Sequence, residues 1–286
     1  MKKQQVLFLV FLGLFSAGLV CLLLGIVLYW TGSSQPGDET PTLEISNDPG
    51  EKAAQEIARA ANASVSETGS REYPWGSVRV FEGLSQENDR VMIEVDRLSG
   101  TVTAYETYGS QPTKALITSD QAIDAAEQFL ESYVPDLDLD GYQRTISTPE
   151  EGALLQAFRV EWQKYAPSGA KLPQKVVIYV NGEAGQVRHF LRTNLPVKID
   201  TNPKISSNEI LVLLQKLETE PGQELVFGEP SLVVIPDNSA ESGQRLVWIF
   251  PVAVRDIFSE QIPLEGLAFD ANTGKKIDLE DLFTEE

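Results

Sequence analysis

Apolar and polar positions alternate with a period of two in one stretch that the chain repeats three times. The copies are VMIEVDRLSGTVTAYE (Val91 to Glu106), VVIYVNGEAGQVRHFL (Val176 to Leu191) and LEGLAFDANTGKKIDL (Leu264 to Leu279). Each reads as strand, tight turn, strand. In the second copy Val176, Ile178 and Val180 share one face of the incoming strand, and Val187, His189 and Leu191 share a face of the return strand. Between the strands the spacing is Asp or Asn, three residues, then Gly: Asp96 and Gly100, Asn181 and Gly185, Asp270 and Gly274. A loop of this length uses a type I turn followed by a left-handed residue, the position a glycine fills without steric cost. The Asp or Asn side chain accepts hydrogen bonds from the N–H groups of the turn. These six residues are therefore expected to be turn-forming rather than catalytic. In the third copy Ile277 falls one residue later than Val102 or Val187 would suggest, which leaves the register of its return strand open.

The pattern changes to helical spacing before each hairpin. TSDQAIDAAEQFLESY opens on Thr118 with Gln121 three residues on, a capping box, and Ala122, Ile123, Ala126, Phe129, Leu130 and Tyr133 form one apolar face. SSNEILVLLQKL repeats the signal with Ser206 and Glu209, followed by Ile210, Leu213, Leu214 and Leu217. An Ala-rich helix is expected over Glu51 to Ser64, with Ala53, Ala54, Ile57 and Ala61 on its inner face. Thr118 and Ser206 are 88 residues apart, Asp96 and Asn181 are 85 apart, and Asn181 and Asp270 are 89 apart. A fixed period with a fixed internal order is a repeat. Further strands are expected in GSVRVFEG, LLQAFRVEWQKY, LVFGEPSLVVIP and RLVWIFPVAV. The expected fold class is α+β: three units over residues 51–112, 113–200 and 201–286, each a helix packed on an antiparallel sheet.

Val6 to Trp30 breaks this rhythm with an apolar run long enough, at about 1.5 Å per residue, to cross a hydrocarbon core of about 30 Å. Lys2 and Lys3 precede it, and the next basic residue is Lys52, so residues 1–5 are expected in the cytoplasm and everything after the span outside. The run outlasts the apolar region of a cleaved signal peptide and ends on Tyr29-Trp30, an interface pair, with no A-x-A site. Cys21 lies within it, and the preceding AGLV is a poor lipidation signal. The expectation is an uncleaved single-pass anchor over residues 6–30, then a Gly-, Pro- and Ser-rich linker over residues 31–50. The exported part then has no cysteine, hence no disulfide and no thiol nucleophile. The net charge of −19 disfavours nucleic acid and anionic lipid surfaces as partners.

The hairpin at Val91 to Glu106, with its preceding strands, resembles the PepSY hairpin. ITSDQAIDAAEQFL, followed by FRVEWQKYAPSGAKLPQKVVIYVNGEAGQVRHF and a renewed KISSNEI, resembles the YcdB/YcdC repeat, a PepSY relative. The architecture of anchor plus external units is also similar to that of YycH/YycI-type regulators of sensor kinases. These resemblances imply an exported or membrane-bound bacterial module without catalytic residues or cofactors, acting on an envelope protein such as a peptidase or a sensor kinase.

Candidate chemistry is sparse. In DLDLDG, Asp136, Asp138, Asp140 and Gly141 match positions 1, 3, 5 and 6 of a calcium loop, but position 12 is Ser147 where a bidentate Glu is needed. The preferred reading is an acidic link from helix to strand with Leu137 and Leu139 pinned to the core. His189 is the one histidine, so any Ser-His-Asp triad or His-based metal site would need it; it sits within a hairpin strand and no ligand role is expected. There is no GxxxxGK[ST], GxGxxG or GxSxG motif. Trp162 and Trp248 read as core residues, as does Trp75. The expected function is non-catalytic interaction or regulation outside the membrane. The alternatives are a carboxylate-based envelope hydrolase and a calcium-stabilised spacer.

Overall fold

The structure is a computed structural model. It describes residues 48–278 apart from 74–75, 110–113, 150–155, 216–222, 238–239, 241 and 257–260. The apolar run at residues 6–30 and most of the linker lie outside the described residues; among the described residues no helix is long and apolar enough to cross a membrane.

The result is a mixed α+β fold dominated by one large sheet. Helix α1 (Pro49–Ala58) precedes strands β1 (Ala63–Tyr73), β2 (Gly76–Ser85), β3 (Arg90–Asp96) and β4 (Val102–Tyr108). Helix α2 (Ser119–Tyr133) precedes β5 (Tyr142–Ser147), β6 (Ala157–Tyr165), β7 (Lys171–Asn181) and β8 (Val187–Asn194). Helix α3 (Ser207–Leu214) precedes β9 (Gln223–Phe227), β10 (Ser231–Pro236), β11 (Gln244–Asp256), β12 (Gln261–Asp270) and β13 (Lys276–Ile277). Strands β9 and β10 pair with successive lengths of β11, so together they act as one first strand interrupted at Gly228 to Pro230. Each unit is thus a helix followed by a four-strand meander.

The helix signals act as the sequence predicts. The Thr118 side chain accepts from the Gln121 N–H, and the Gln121 side chain accepts from the Thr118 N–H; Ser206 and Glu209 repeat the exchange. Helix α1 departs from expectation at both ends. It begins at Pro49, capped by Asp48, so residues 48–50, expected in the linker, belong to the fold. It ends before Ser64: Asn62 takes a left-handed conformation and β1 starts at Ala63. On α3, Ile210 and Leu214 are buried, whereas Leu213 is 52% exposed and Leu217 is not among the described residues.

The sequence leaves open whether the three units form one body, and the sheet answers that for the first two. Strands β4 and β8, the last of their units, pair antiparallel and join the first two units into one sheet of order β1-β2-β3-β4-β8-β7-β6-β5. At the seam Tyr105 pairs with Phe190, its own counterpart 85 residues later. Both side chains are buried, and Phe129 of α2 packs against each ring, with centroids 5.5 and 5.8 Å away. A single core draws on both units: Ile57 of α1, Phe81, Ile93, Phe129 of α2, Val160, Ile178 and Phe190 among others. The third unit has its own core, built on Ile210, Leu214, Phe250, Val252 and Phe269. It joins the sheet through a parallel bridge between Val233 and Lys171, an exception to the antiparallel expectation.

Candidate functional site

The three turns have one geometry. The Asp96 carboxylate accepts from the N–H groups of Leu98 and Ser99, the Asn181 side chain from those of Glu183 and Ala184, and the Asp270 carboxylate from those of Asn272 and Thr273. Gly100, Gly185 and Gly274 have φ of +69°, +70° and +70°. Burial pushes the Asp96 carboxyl up, but the donated hydrogen bonds outweigh it and hold the group below its usual range. In the second and third units the turn also receives the chain entering the helix. The N–H groups of Leu116 and Ile117 both donate to the Gly182 carbonyl, and those of Lys204 and Ile205 to the Ala271 carbonyl. Pro49, Ile117 and Ile205 each pack close to the turn glycine of their own unit. In those two units the turn therefore also positions the helix through its backbone, while the Asp or Asn side chain serves the turn itself, and Asp270 pairs with Arg245 at 3.1 Å as well.

The third copy also explains its shifted Ile277. In the first two hairpins a bulge lies between Glu94 and Val95 against β4, and between Tyr179 and Val180 against β8. The third pairs Phe269 with Lys276 and Ala268 with Ile277 without one.

The acidic link at Asp136 to Gly141 does not gather its carboxylates. Asp136 is ion-paired with Arg192 at 2.9 Å, and Asp138 accepts from the Asp140 N–H. Leu137 and Leu139 pack against the shared core. Among the described residues no group of three or more His, Cys, Asp or Glu side chains could hold a metal ion.

The alternation of strands decides what the rest of the molecule presents. Val91, Ile93 and Val95, like Val176, Ile178 and Val180, point to the helices. Their neighbours Met92, Glu94, Lys175, Val177 and Tyr179 point to the opposite face, which carries no described helix. On that face the charges form pairs and small clusters. Arg71 meets Glu94 at 2.6 Å, and the Tyr73 hydroxyl donates to the same carboxylate. Arg90 meets Glu82 at 2.8 Å. Arg159 and Lys175 converge on Glu161. Val78, Val80 and Met92 are buried beneath Tyr73 and Tyr108.

His189 is at the centre of this face. Its Nδ1 lies 3.0 Å from Glu106, its partner across the β4–β8 seam, and its ring makes an edge contact with Tyr179. The Tyr108 hydroxyl also donates to Glu106. Burial pushes the Glu106 carboxyl up, but the hydrogen bonds from His189 and Tyr108 prevail and hold it below the usual range. Burial, reinforced by Glu106, pushes the Tyr108 hydroxyl up. The set contains a base and a group that orients it. Among the described residues no Ser, Thr or Cys hydrogen-bonds to His189 as a nucleophile would. Sequence reading placed His189 on its strand; its partnership with Glu106 had no signal, because it arises from pairing between residues of different units.

The class defined here is a repeat-built α+β protein in which helices cover one face of a broad sheet and leave the other presenting paired charges. No family model matches the chain, and no curated protein matches it. Among solved structures it is similar to the Bacillus megaterium YpeB C-terminal domain, at 15% identity and a TM-score of 0.46, covering 81% of this chain and 95% of that chain.

Proposed function

We propose that this is a membrane-anchored, extracytoplasmic interaction protein of the PepSY type, and that it binds and regulates an envelope protein through the helix-free face of its first two units. The support is the composition of that face. It is broad and runs across two units. In the first unit and at the β4–β8 seam its charges lie in cross-strand pairs, and it exposes Leu191 to 48%. A broad sheet surface mixing aromatic, aliphatic and polar groups suits a protein partner better than a small substrate, which needs an enclosing cavity. The apolar run at residues 6–30 supplies the expected anchor. A peptidase or a sensor kinase is the expected partner.

The test is site-specific photocrosslinking of the full-length protein in its native membrane. A photoreactive residue at Leu191 or Tyr179 is expected to give discrete protein adducts, and one at Glu131, exposed on α2, is expected to give none. Adducts of equal yield at both places, or none at either, would reject this surface as the docking face.

A further inference from the structure

The helix-free face ends in a groove of about 470 Å³ where β6, β7 and the exit of β8 meet β10 of the third unit. One wall carries Arg159, Lys171 and Lys175, with Glu161 as the carboxylate among them. Arg159 is paired with Glu161, and Lys175 reaches the same carboxylate only at 3.8 Å. The Lys171 ammonium meets a hydroxyl, Ser231 Oγ, at 3.4 Å. The groove therefore holds three cations to one anion in a chain whose net charge is −19. Burial pulls the Lys175 ammonium down, and its cationic neighbours Arg159 and Lys171 oppose the pull of Glu161. The lining next to Lys171 is aliphatic where β10 contributes Val233 and Pro236.

We infer that this groove binds an acidic segment of a protein partner, with carboxylates facing the cationic wall and aliphatic side chains against β10. The inference rests on the interaction reading above and specifies the partner's chemistry. Charge complementarity selects the occupant: two positive charges in excess call for about two carboxylates at close range. A long polyanion such as nucleic acid would be repelled by the rest of the molecule beyond about 8 Å, whereas a short acidic segment feels mainly the groove. The segment lies across side chains rather than adding a strand. Strand β7, which carries Lys171 and Lys175, is already paired on both sides, with β6 and with β8, and at Lys171 with β10.

The test uses the full chain and a fluorescent peptide of alternating Glu and Val, read by anisotropy. The matching Gln-Val peptide and inorganic phosphate serve as comparisons. The Glu-Val peptide is expected to bind, more weakly as salt rises, and the Gln-Val peptide is not. The double variant Lys171→Gln/Lys175→Gln is expected to weaken binding roughly five- to tenfold, by the sum of two partly exposed charge contacts. Lys171→Arg/Lys175→Arg is expected to retain it, which separates charge from folding. Equal binding of both peptides, unchanged binding by the Gln variant, or displacement by phosphate as effective as by unlabelled peptide would each overturn the inference. Crosslinks from Leu191 would survive any of those results, so the two readings fail separately.

Discussion

At the residue scale, the helix-free face shows how a sheet accommodates charge that alternation forces onto one side. Glu106 is the sharpest case. It is set in a strand, largely buried, and ionised by virtue of His189 and Tyr108. Because its folded-state carboxyl titrates below the unfolded value, its contribution to stability is present above about pH 4.3 and is lost as pH falls through the lower, folded value. Glu106→Gln keeps the shape and removes the titration. The variant is expected to be less stable at neutral pH, and the gap to the parent should shrink toward pH 3. Urea denaturation at several pH values would show this; parallel pH curves would refute the assignment. Gly83 makes a different residue-scale point. A Cβ there would stand 1.9 Å from the Ser64 carbonyl oxygen, so β1 and β2 can lie this close only over glycine.

At the element scale, the two capping boxes set where α2 and α3 begin, and the turns hold those beginnings in place. Thr118→Ala removes one side of the box, and the expected cost is about 1 kcal/mol, measured as a shift in the urea midpoint. These elements were legible because their signals are local: a hydroxyl three residues before Gln or Glu, an Asp or Asn four before Gly. Strands β1 and β5 were not anticipated. Both lie at an edge of the joined sheet and bury little: Val65 is the only buried residue in β1, and β5 buries none. An edge strand takes its conformation from backbone pairing with a neighbour, and that pairing leaves no mark in the periodicity of side chains. The bulges between Glu94 and Val95 and between Tyr179 and Val180 were equally silent until the third copy lacked one.

At the scale of the whole molecule, the shared core makes the first two units one folding body. Phe190 and Val160 from the second unit complete a core begun by Ile57, Phe81 and Ile93 in the first. A fragment of residues 48–112 is therefore expected to lack a cooperative thermal transition by circular dichroism, and residues 48–200 are expected to show one. A cooperatively folded 48–112 fragment would contradict the shared core. The period of the repeat, the three turns and the capping boxes of α2 and α3 were determined by the sequence alone, because each rests on contacts within a few residues. The sequence also places an apolar run at residues 6–30. Which repeats would merge was decided only by the tertiary structure. The β4–β8 seam brings together residues some 85 positions apart, pairs Tyr105 with its own counterpart and sets His189 against Glu106. Nothing in a repeat's own pattern states which other repeat its last strand will meet.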